Sequence, residues 1–372
     1  MPIPSEVRQR LIDSVDAFCA RDRPGDTLLV AALENALASQ PLYAEPYISD
    51  LQTTLPIRLA CASNIEEKIR IAYSGYKLTA IHAAIILSVP LDELTKGSLN
   101  DTVQLPGILK LCLDGMTSLV KHFLISQKSS LADARQNNEK DACANRDNHA
   151  CIFMHTGKGE VAHIVPFTWN ENADKFETTR TAVSWSALLF PESVVTQLLD
   201  ICATDVGCSD KRWNMVYLNR QLHFWWSRGY LGLKFHGWVK ASDNDTSENP
   251  EVIVKVQFHW LDRRTRNASD EIPITGDASS MRAMAERQMA FEQDGSPSHQ
   301  RGEEGGIISA FRVDMCTPIV SGHIAEVKMP EQDAQKFKAL LELRWSIIRI
   351  AAMSGAAENP ELLPEPESSS DW

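Results

Sequence analysis

Residues 151–167 read CIFMHTGKGEVAHIVPF, and residues 213–223 read WNMVYLNRQLH. In the first segment His163 stands near the end of an apolar run that is followed by a proline. Proline has no backbone N–H to donate to a strand ladder, so it indicates the end of a strand. In the second segment Asn214 precedes His223 by nine positions (223 − 214 = 9). An imidazole at a strand end, followed by an amide and a second imidazole, indicates that the two segments meet in one site.

The local pattern of both segments predicts their secondary structure. Apolar runs at 150–153 and 160–165 are joined by a short glycine-containing connection, which is typical of a hairpin. We therefore predict a β-hairpin over residues 151–165. In the second segment two leucines stand four positions apart, which predicts a short helix that ends at or just after His223 and packs beside the hairpin.

The combined order of residues resembles the HNH nuclease motif. It is most similar to a variant found in large fungal proteins, whose first His stands in an Ala-His-Ile-x-Pro-Phe strand, as in residues 162–167. That group often continues with Phe-x-Trp, Pro-Ile-x-Ser-Gly and Trp-x-x-x-Arg-Ile-Ala, which match residues 258–260, 318–322 and 345–351. The resemblance spans roughly residues 146–357. It implies an α+β fold with a strand–strand–helix metal site at its centre.

The resemblance also implies roles for individual residues. His163 would be the general base that takes a proton from the attacking water, a task that suits a neutral imidazole near pH 7. His223 would hold a divalent metal, and Asn214 would either fix the loop that orients His163 or ligate the metal. Arg220 or Arg228 could hold a phosphate, because a guanidinium donates two parallel hydrogen bonds.

Two positions depart from the pattern of the wider superfamily. The residue before the first His is often a metal-ligating Asp or His, and here it is Ala162, as is usual for the fungal variant. Four residues after the second His, many relatives supply another ligand, where this chain has Ser227. A metal with so few protein ligands would keep most of its waters, which favours Mg²⁺ and leaves Mn²⁺ or Zn²⁺ as alternatives. Glu160, one strand step from Ala162, is a candidate compensating ligand.

Composition and periodicity divide the chain into regions. Apolar residues recur at helical spacing before the motif and again in the long gap between its two segments (214 − 163 = 51 positions). The predicted regions are a helical N-terminal region (1–135), an HNH nuclease-like domain (146–240) with a helical insertion (170–212), a C-terminal strand and helix extension (241–357) with a mobile loop (265–306), and a disordered acidic tail (358–372).

The charge distribution favours a nucleic-acid partner despite a formal net charge of −12. Residues 211–240 hold six basic residues and no Asp or Glu. We predict that this stretch binds nucleic acid, with DNA favoured over RNA, through Lys211, Arg212, Arg220, Arg228 and Lys234.

Other classes of protein find no support in the sequence. No apolar run reaches the ~20 residues of a membrane span, and the N-terminus lacks the pattern of a signal peptide. Phosphate-loop and dinucleotide patterns are absent as well. The sequence therefore predicts an intracellular protein, cytoplasmic or nuclear, without membrane contact or nucleotide cofactor.

Two functions fit these expectations. The first is a metal-dependent HNH endonuclease that hydrolyses phosphodiester bonds of DNA, with RNA as a further substrate class. The alternative is a catalytically degenerate HNH module that binds nucleic acid or protein. Convergence of His163, Asn214 and His223 on one water-accessible cleft would favour the first function.

Overall fold

A computed structural model describes residues 4–20, 26–38, 41–46, 50–96, 99, 105–128, 137–242, 247–294 and 306–364. Within them the protein is mixed α+β, with small antiparallel sheets among many helices. The α-helices are α1 (Ser5–Cys19), α2 (Asp26–Ala38), α3 (Leu51–Ala72), α4 (Ala80–Ser88), α5 (Leu91–Lys96), α6 (Pro106–Lys128), α7 (Asn137–Arg146), α8 (Ala173–Ser184), α9 (Glu192–Cys202), α10 (Arg220–Ser227), α11 (Met281–Asp294) and α12 (Glu331–Ser354). The strands are β1 (Glu160–His163), β2 (Met215–Leu218), β3 (Leu231–Lys240), β4 (Glu251–Trp260), β5 (Phe311–Arg312), β6 (Thr317–Pro318) and β7 (Ile324–Pro330).

Helices α3, α6 and α12 pack around α4, whose residues 80–87 are all buried. Seven of these eight residues are apolar, and a helix without a polar face belongs at the centre of a core. The exception, His82, accepts or donates a hydrogen bond with the Tyr76 hydroxyl at 3.1 Å. Helix α4 contacts α3, α6 and α12. The helical character predicted for this region agrees with α1 to α6.

Helix α12 connects these N-terminal helices to the sheets. It packs against α4 and α6 and also against β3, and most of its length is buried. The helix ends at Gly355, which adopts a left-handed conformation (φ 89°) that a side chain rarely tolerates. A Cβ at this position would also meet the Arg266 carbonyl oxygen. The helix of the predicted strand and helix extension (241–357) thus ends at a glycine.

The largest sheet has the strand order β3–β4–β7, with both pairs antiparallel. In the central strand β4, Val252, Val254, Val256 and Phe258 are fully buried at every second position, which is the periodicity of a strand that packs one face into a core. The strand belongs to the C-terminal strand and helix extension predicted over residues 241–357.

Strands β1 and β2 form a separate two-stranded antiparallel ladder, and α10 follows β2 directly. Helices α8 and α9 fill the gap between the two strands, in agreement with the predicted helical insertion. Helix α8 begins after Asn172, whose side chain accepts a hydrogen bond from the Lys175 N–H at 3.0 Å. The insertion thus leaves β1 and returns to pair β2 with it.

The predicted hairpin over residues 151–165 is wrong, because β1 pairs with β2 and not with the preceding run. Residues 152–154 form a turn, and an isolated bridge joins Ala150 to Gly157. Phe153 is nevertheless buried, since its ring packs edge-on against Phe258 with centroids 5.3 Å apart. A short apolar run can be buried in a turn as well as in a strand, so its composition did not distinguish the two.

The predicted mobile loop over residues 265–306 contains helix α11. Its Met281, Met284 and Ala285 are buried at helical spacing, a short apolar face that the polar composition of the region had obscured. Residues 295–305 lie outside the described residues. The prediction of a loop is therefore wrong for α11.

The remaining C-terminal predictions have mixed outcomes. The strand predicted over residues 307–313 shortens to β5. In the predicted tail, Leu363 is buried and its carbonyl accepts a hydrogen bond from Lys121 Nζ at 2.6 Å, whereas residues 365–372 lie outside the described part. None of the described helices combines the length and apolar character needed to cross a bilayer.

Candidate active site

The unit β1–β2–α10 presents both histidines of the motif. His163 ends β1 and lies opposite Met215 in the antiparallel ladder. Asn219 then caps α10, because its side chain accepts a hydrogen bond from the Gln221 N–H at 2.9 Å. His223 follows in the first turn of this helix. A helix is present at His223, but it begins only at Arg220 and continues to Ser227. The helix prediction is wrong for Leu218, which lies in strand β2.

His163 and His223 line one cleft with a volume of about 480 Å³. Glu160, Ser227, Lys140 and Arg344 also contribute to its wall. Asn214, in contrast, is fully buried and does not line the cleft. The structure therefore places the two imidazoles of the motif on one cleft. The expected convergence of all three residues is not met, because Asn214 is buried away from its lining.

His163 is oriented by Asp210. The two side chains are each only 9% exposed, and Nε2 of the imidazole lies 2.9 Å from Oδ1 of the carboxylate. An ionised carboxylate can only accept, so this hydrogen bond places the proton of a neutral imidazole on Nε2 and its lone pair on Nδ1. A carboxylate in this position fixes both the tautomer and the ring orientation of a general base.

His223 is paired with a carboxylate in the same way. Its Nδ1 lies 2.6 Å from Oε1 of Glu160, and the Arg220 guanidinium lies 3.9 Å from the other carboxylate oxygen. Because the carboxylate accepts from Nδ1, the lone pair of neutral His223 is on Nε2. A carboxylate that holds one ring nitrogen while the other binds a cation is a recurrent arrangement around metal-ligating histidines.

Asn214 connects two loops through its side chain. Its Oδ1 accepts from the Val165 N–H at 2.9 Å, and its Nδ2 donates to the carbonyls of Val165 and Ser209 at 3.0 and 2.9 Å. Both amide hydrogens and the amide oxygen therefore have backbone partners. These bonds hold the segment after His163 against the loop that carries Asp210, which favours the loop-fixing role over metal ligation.

Helix α7 anchors β2 from the outside. Arg146 pairs with Asp147 through contacts of 2.7 and 2.9 Å and donates to the Met215 carbonyl at 2.8 Å. Asp147 in turn accepts from the Tyr217 N–H at 2.9 Å. These charge-assisted hydrogen bonds satisfy the Met215 carbonyl and the Tyr217 N–H, two backbone groups of β2. The register of β2, and with it the start of α10, is thereby fixed.

Arg344 of α12 reaches the end of β1 from the opposite side. Its Nη1 donates to the carbonyls of His163 and Ile164 at 2.7 and 2.9 Å. The guanidinium carbon lies 3.3 Å from the centroid of the Trp226 ring, and the residue is only 2% exposed. Burial lowers the pKa of Arg344 well below its ordinary value, because desolvation disfavours the charged form.

The metal donors of the cleft are few. Among the described residues, no group of three or more His, Cys, Asp or Glu side chains is placed to hold a metal ion. Ala162 is buried, and the Ser227 hydroxyl donates to the Phe224 carbonyl at 2.8 Å. The available donor is the Nε2 lone pair of His223, because the Glu160 carboxylate is bonded to Nδ1 on the other side of the ring. One imidazole could hold a cation only together with several waters, as Mg²⁺ often does.

The five residues predicted to bind nucleic acid do not form one face. Lys211 lines a separate groove of about 670 Å³, and Arg212 lines another of about 340 Å³. Arg220 and Arg228 stand at the two ends of α10, next to the cleft wall. Burial lowers the pKa of Lys234 on β3, assisted by the nearby charge of Arg349. Only the two arginines at α10 flank the candidate site.

Other histidines are held in the interior, away from the cleft. Burial lowers the pKa of His122 and of His323 to about 4 and that of His259 to about 3. His122 stacks on Trp169, with ring centroids 5.3 Å apart. Imidazoles with such environments are neutral near pH 7 and act as packing groups.

Asp210 and Arg344 were missed by the sequence interpretation. Asp210 lies 47 positions from its partner His163 inside the insertion, where no local spacing marks it. Arg344 carries a signal that could have been used, since it stands among the apolar residues of the buried face of α12. Comparisons with protein-family models, curated proteins and solved structures give no match for the chain.

Proposed function

We propose that the protein is a metal-dependent endonuclease of the HNH type that hydrolyses phosphodiester bonds, with DNA as its first substrate class and RNA as a second. The observation that carries this proposal is the cleft itself. Two imidazoles, each paired with its own carboxylate, line it from adjacent elements of a β–β–α unit.

The base side of the reaction falls to His163. The lone pair on Nδ1 accepts a proton from the attacking water, and the Asp210 carboxylate stabilises the imidazolium that results. The Asn214 and Arg344 hydrogen bonds keep the backbone of the 163–165 segment in place during this transfer. Positioning of this kind lowers the cost of bringing base and water together.

The opposite side of the cleft would hold the cation. His223 fits this task through Nε2, with Glu160 orienting the ring from Nδ1 and water completing the coordination. When bound, a divalent cation supplies charge stabilisation for the phosphate and the leaving oxygen. Arg220 and Arg228 of α10 place positive charge beside the cleft, where it would attract a polyanionic substrate.

A plasmid-nicking assay with Mg²⁺, Mn²⁺ or EDTA tests this function. We expect His163→Ala to slow metal-dependent nicking by about 10²- to 10⁴-fold, the usual contribution of a general base. His223→Ala should also slow it, with partial rescue by excess metal, because its loss weakens cation binding. His155→Ala is the matched control, since His155 is a part-exposed histidine that does not line the cleft.

The alternative function is binding without cleavage, and the small donor set of the cleft favours it. Under this alternative the wild-type chain binds DNA but nicks no plasmid with any divalent metal. Nicking that survives His163→Ala unchanged would contradict the assignment of the base. Nicking that EDTA does not stop would contradict the need for a cation.

A further inference from the structure

Arg344 is a buried cation, and no acidic side chain among the described residues forms an ion pair with it. Its Nε and Nη2 have no hydrogen-bond partner. Two carbonyls and the faces of Trp226 and Phe123 are what surround it. A buried charge in such surroundings is costly, because water is removed and only part of its hydration is replaced.

Two other arginines with little exposure are paired with acidic side chains. Arg58 is as buried as Arg344, yet it contacts Asp50 at 3.3 Å and donates to two carbonyls and a hydroxyl. The Arg146 side chain is 10% exposed and contacts Asp147 at 2.7 Å. Arg344 differs from both, and it lies at the wall of the candidate active site.

The cleft around Arg344 is suited to an anion. Lys140 and Arg344 both line it, whereas Glu160 is the one carboxylate among its lining residues, all of which are described. The sign of this local charge is opposite to the formal net charge of −12 of the chain. Cations that line a cleft raise the local concentration of anionic ligands.

We propose that Arg344 is the phosphate-binding residue of the cleft and that a phosphodiester group of nucleic acid supplies its missing counter-charge. This inference rests on the proposed function, because it assumes a phosphodiester substrate. The unpartnered Nε and Nη2 are the two nitrogens of a guanidinium that bind an oxyanion with parallel hydrogen bonds. Nη1 at the same time holds the His163 carbonyl, so one side chain connects the phosphate to the segment that carries the base.

Nuclear magnetic resonance of the wild-type chain, labelled with ¹⁵N in its arginine side chains, provides the first test. The protein is titrated in EDTA with a short DNA duplex and, separately, with inorganic phosphate. We expect the Arg344 Nε–H signal, assigned with Arg344→Lys, to shift saturably with the duplex. The Arg58 signal should stay unchanged, because that guanidinium already has its partners.

Two results of this titration would overturn the proposal. An Arg344 signal that neither ligand moves would show that the residue is only a structural clamp for the two carbonyls. A signal that inorganic phosphate moves and DNA does not would assign the subsite to a small phosphate ligand instead of nucleic acid. Both results are read from the wild-type chain, and Arg344→Lys serves only to assign the signal.

Affinity measurements in EDTA provide the second test. Arg344→Met should weaken duplex binding by about 10- to 100-fold, as expected for loss of charge-assisted hydrogen bonds, and Arg344→Lys should weaken it less. Arg349→Met on the same helix is the control, because Arg349 pairs with Glu292 and does not line the cleft, and it should change affinity by less than about twofold. Equal affinities for Arg344→Met and Arg349→Met would contradict the proposal.

The metal-free conditions separate this proposal from the proposed enzyme activity. If the wild type fails to nick DNA but Arg344 responds to the duplex, the phosphate site stands and the nuclease does not. If the wild type nicks DNA but Arg344→Met binds the duplex as tightly as Arg349→Met does, the nuclease stands and the phosphate site does not.

Discussion

Replacement of Asn214 distinguishes its two proposed roles through protein stability. The side chain makes three hydrogen bonds to buried backbone groups of Val165 and Ser209. At about 1 kcal/mol for each neutral hydrogen bond, Asn214→Ala should lower the free energy of unfolding by about 3 kcal/mol. The substitution also leaves the backbone groups of Val165 and Ser209 buried without partners. The loss of stability should therefore be at least about 3 kcal/mol.

Asn214→Asp sharpens the distinction. An aspartate keeps the acceptor that faces the Val165 N–H, but it places a second oxygen against two carbonyls from which it can receive no hydrogen bond. We therefore expect Asn214→Asp to destabilise the protein at pH 7 at least as much as Asn214→Ala. A metal ligand would behave in the opposite way, since a carboxylate binds Mg²⁺ better than an amide does.

Urea denaturation followed by tryptophan fluorescence and circular dichroism measures these differences. The control is Asn172→Ala, which removes one exposed cap of α8 and should cost about 1 kcal/mol. An Asn214→Ala cost no greater than that of Asn172→Ala would refute the loop-fixing role. An Asn214→Asp variant with wild-type stability and tighter Mn²⁺ binding would establish metal ligation instead.

Two further predictions concern the metal and the DNA. Ser227→Asp should tighten Mn²⁺ binding, measured by calorimetry, because it adds a carboxylate to the cleft wall beside His223. Ser227→Ala is the control. A Ser227→Asp affinity equal to that of the wild type and of Ser227→Ala would contradict the prediction. Arg220→Ala combined with Arg228→Ala should reduce the slope of log affinity against log salt by about 1.8, since each lost phosphate contact removes about 0.9. The control is the double variant Arg282→Ala with Lys328→Ala, which also removes two cations, each paired with an acidic residue outside the cleft. An equal change in slope for this control would refute a specific role for the α10 arginines.

The fold was predictable where one periodicity dominated. Alternating burial in β4 and the apolar face of α12 both follow from their sequences, because a regular element must bury one side. The same reasoning gave a wrong result for the run at 150–153, which was predicted to pair with the strand at 160–165 but forms a turn. Its neighbour β1 pairs with β2, more than fifty positions away, and composition carries no information about that choice.

The candidate site was predictable only in its local part. His163 and His223 were placed together from their order and flanking residues, and the structure has them on one cleft. Asp210 and Arg344 come from the insertion and from a helix 181 positions beyond His163. Their roles arise from tertiary contacts, which no spacing within the motif could reveal.

Under the proposed function, the contacts around the two imidazoles determine the base side of the cleft better than its cation side. Asp210 fixes the ring of His163, and two further side chains hold the backbone that follows it, so little freedom remains for the base. On the other side a single carboxylate orients His223, and the adjacent Ser227 hydroxyl turns to a carbonyl of its own helix. Preorganisation favours a fast proton transfer once substrate and cation are bound. We therefore expect the rate of cleavage to be limited by how fully the cation site is occupied, and not by the orientation of His163.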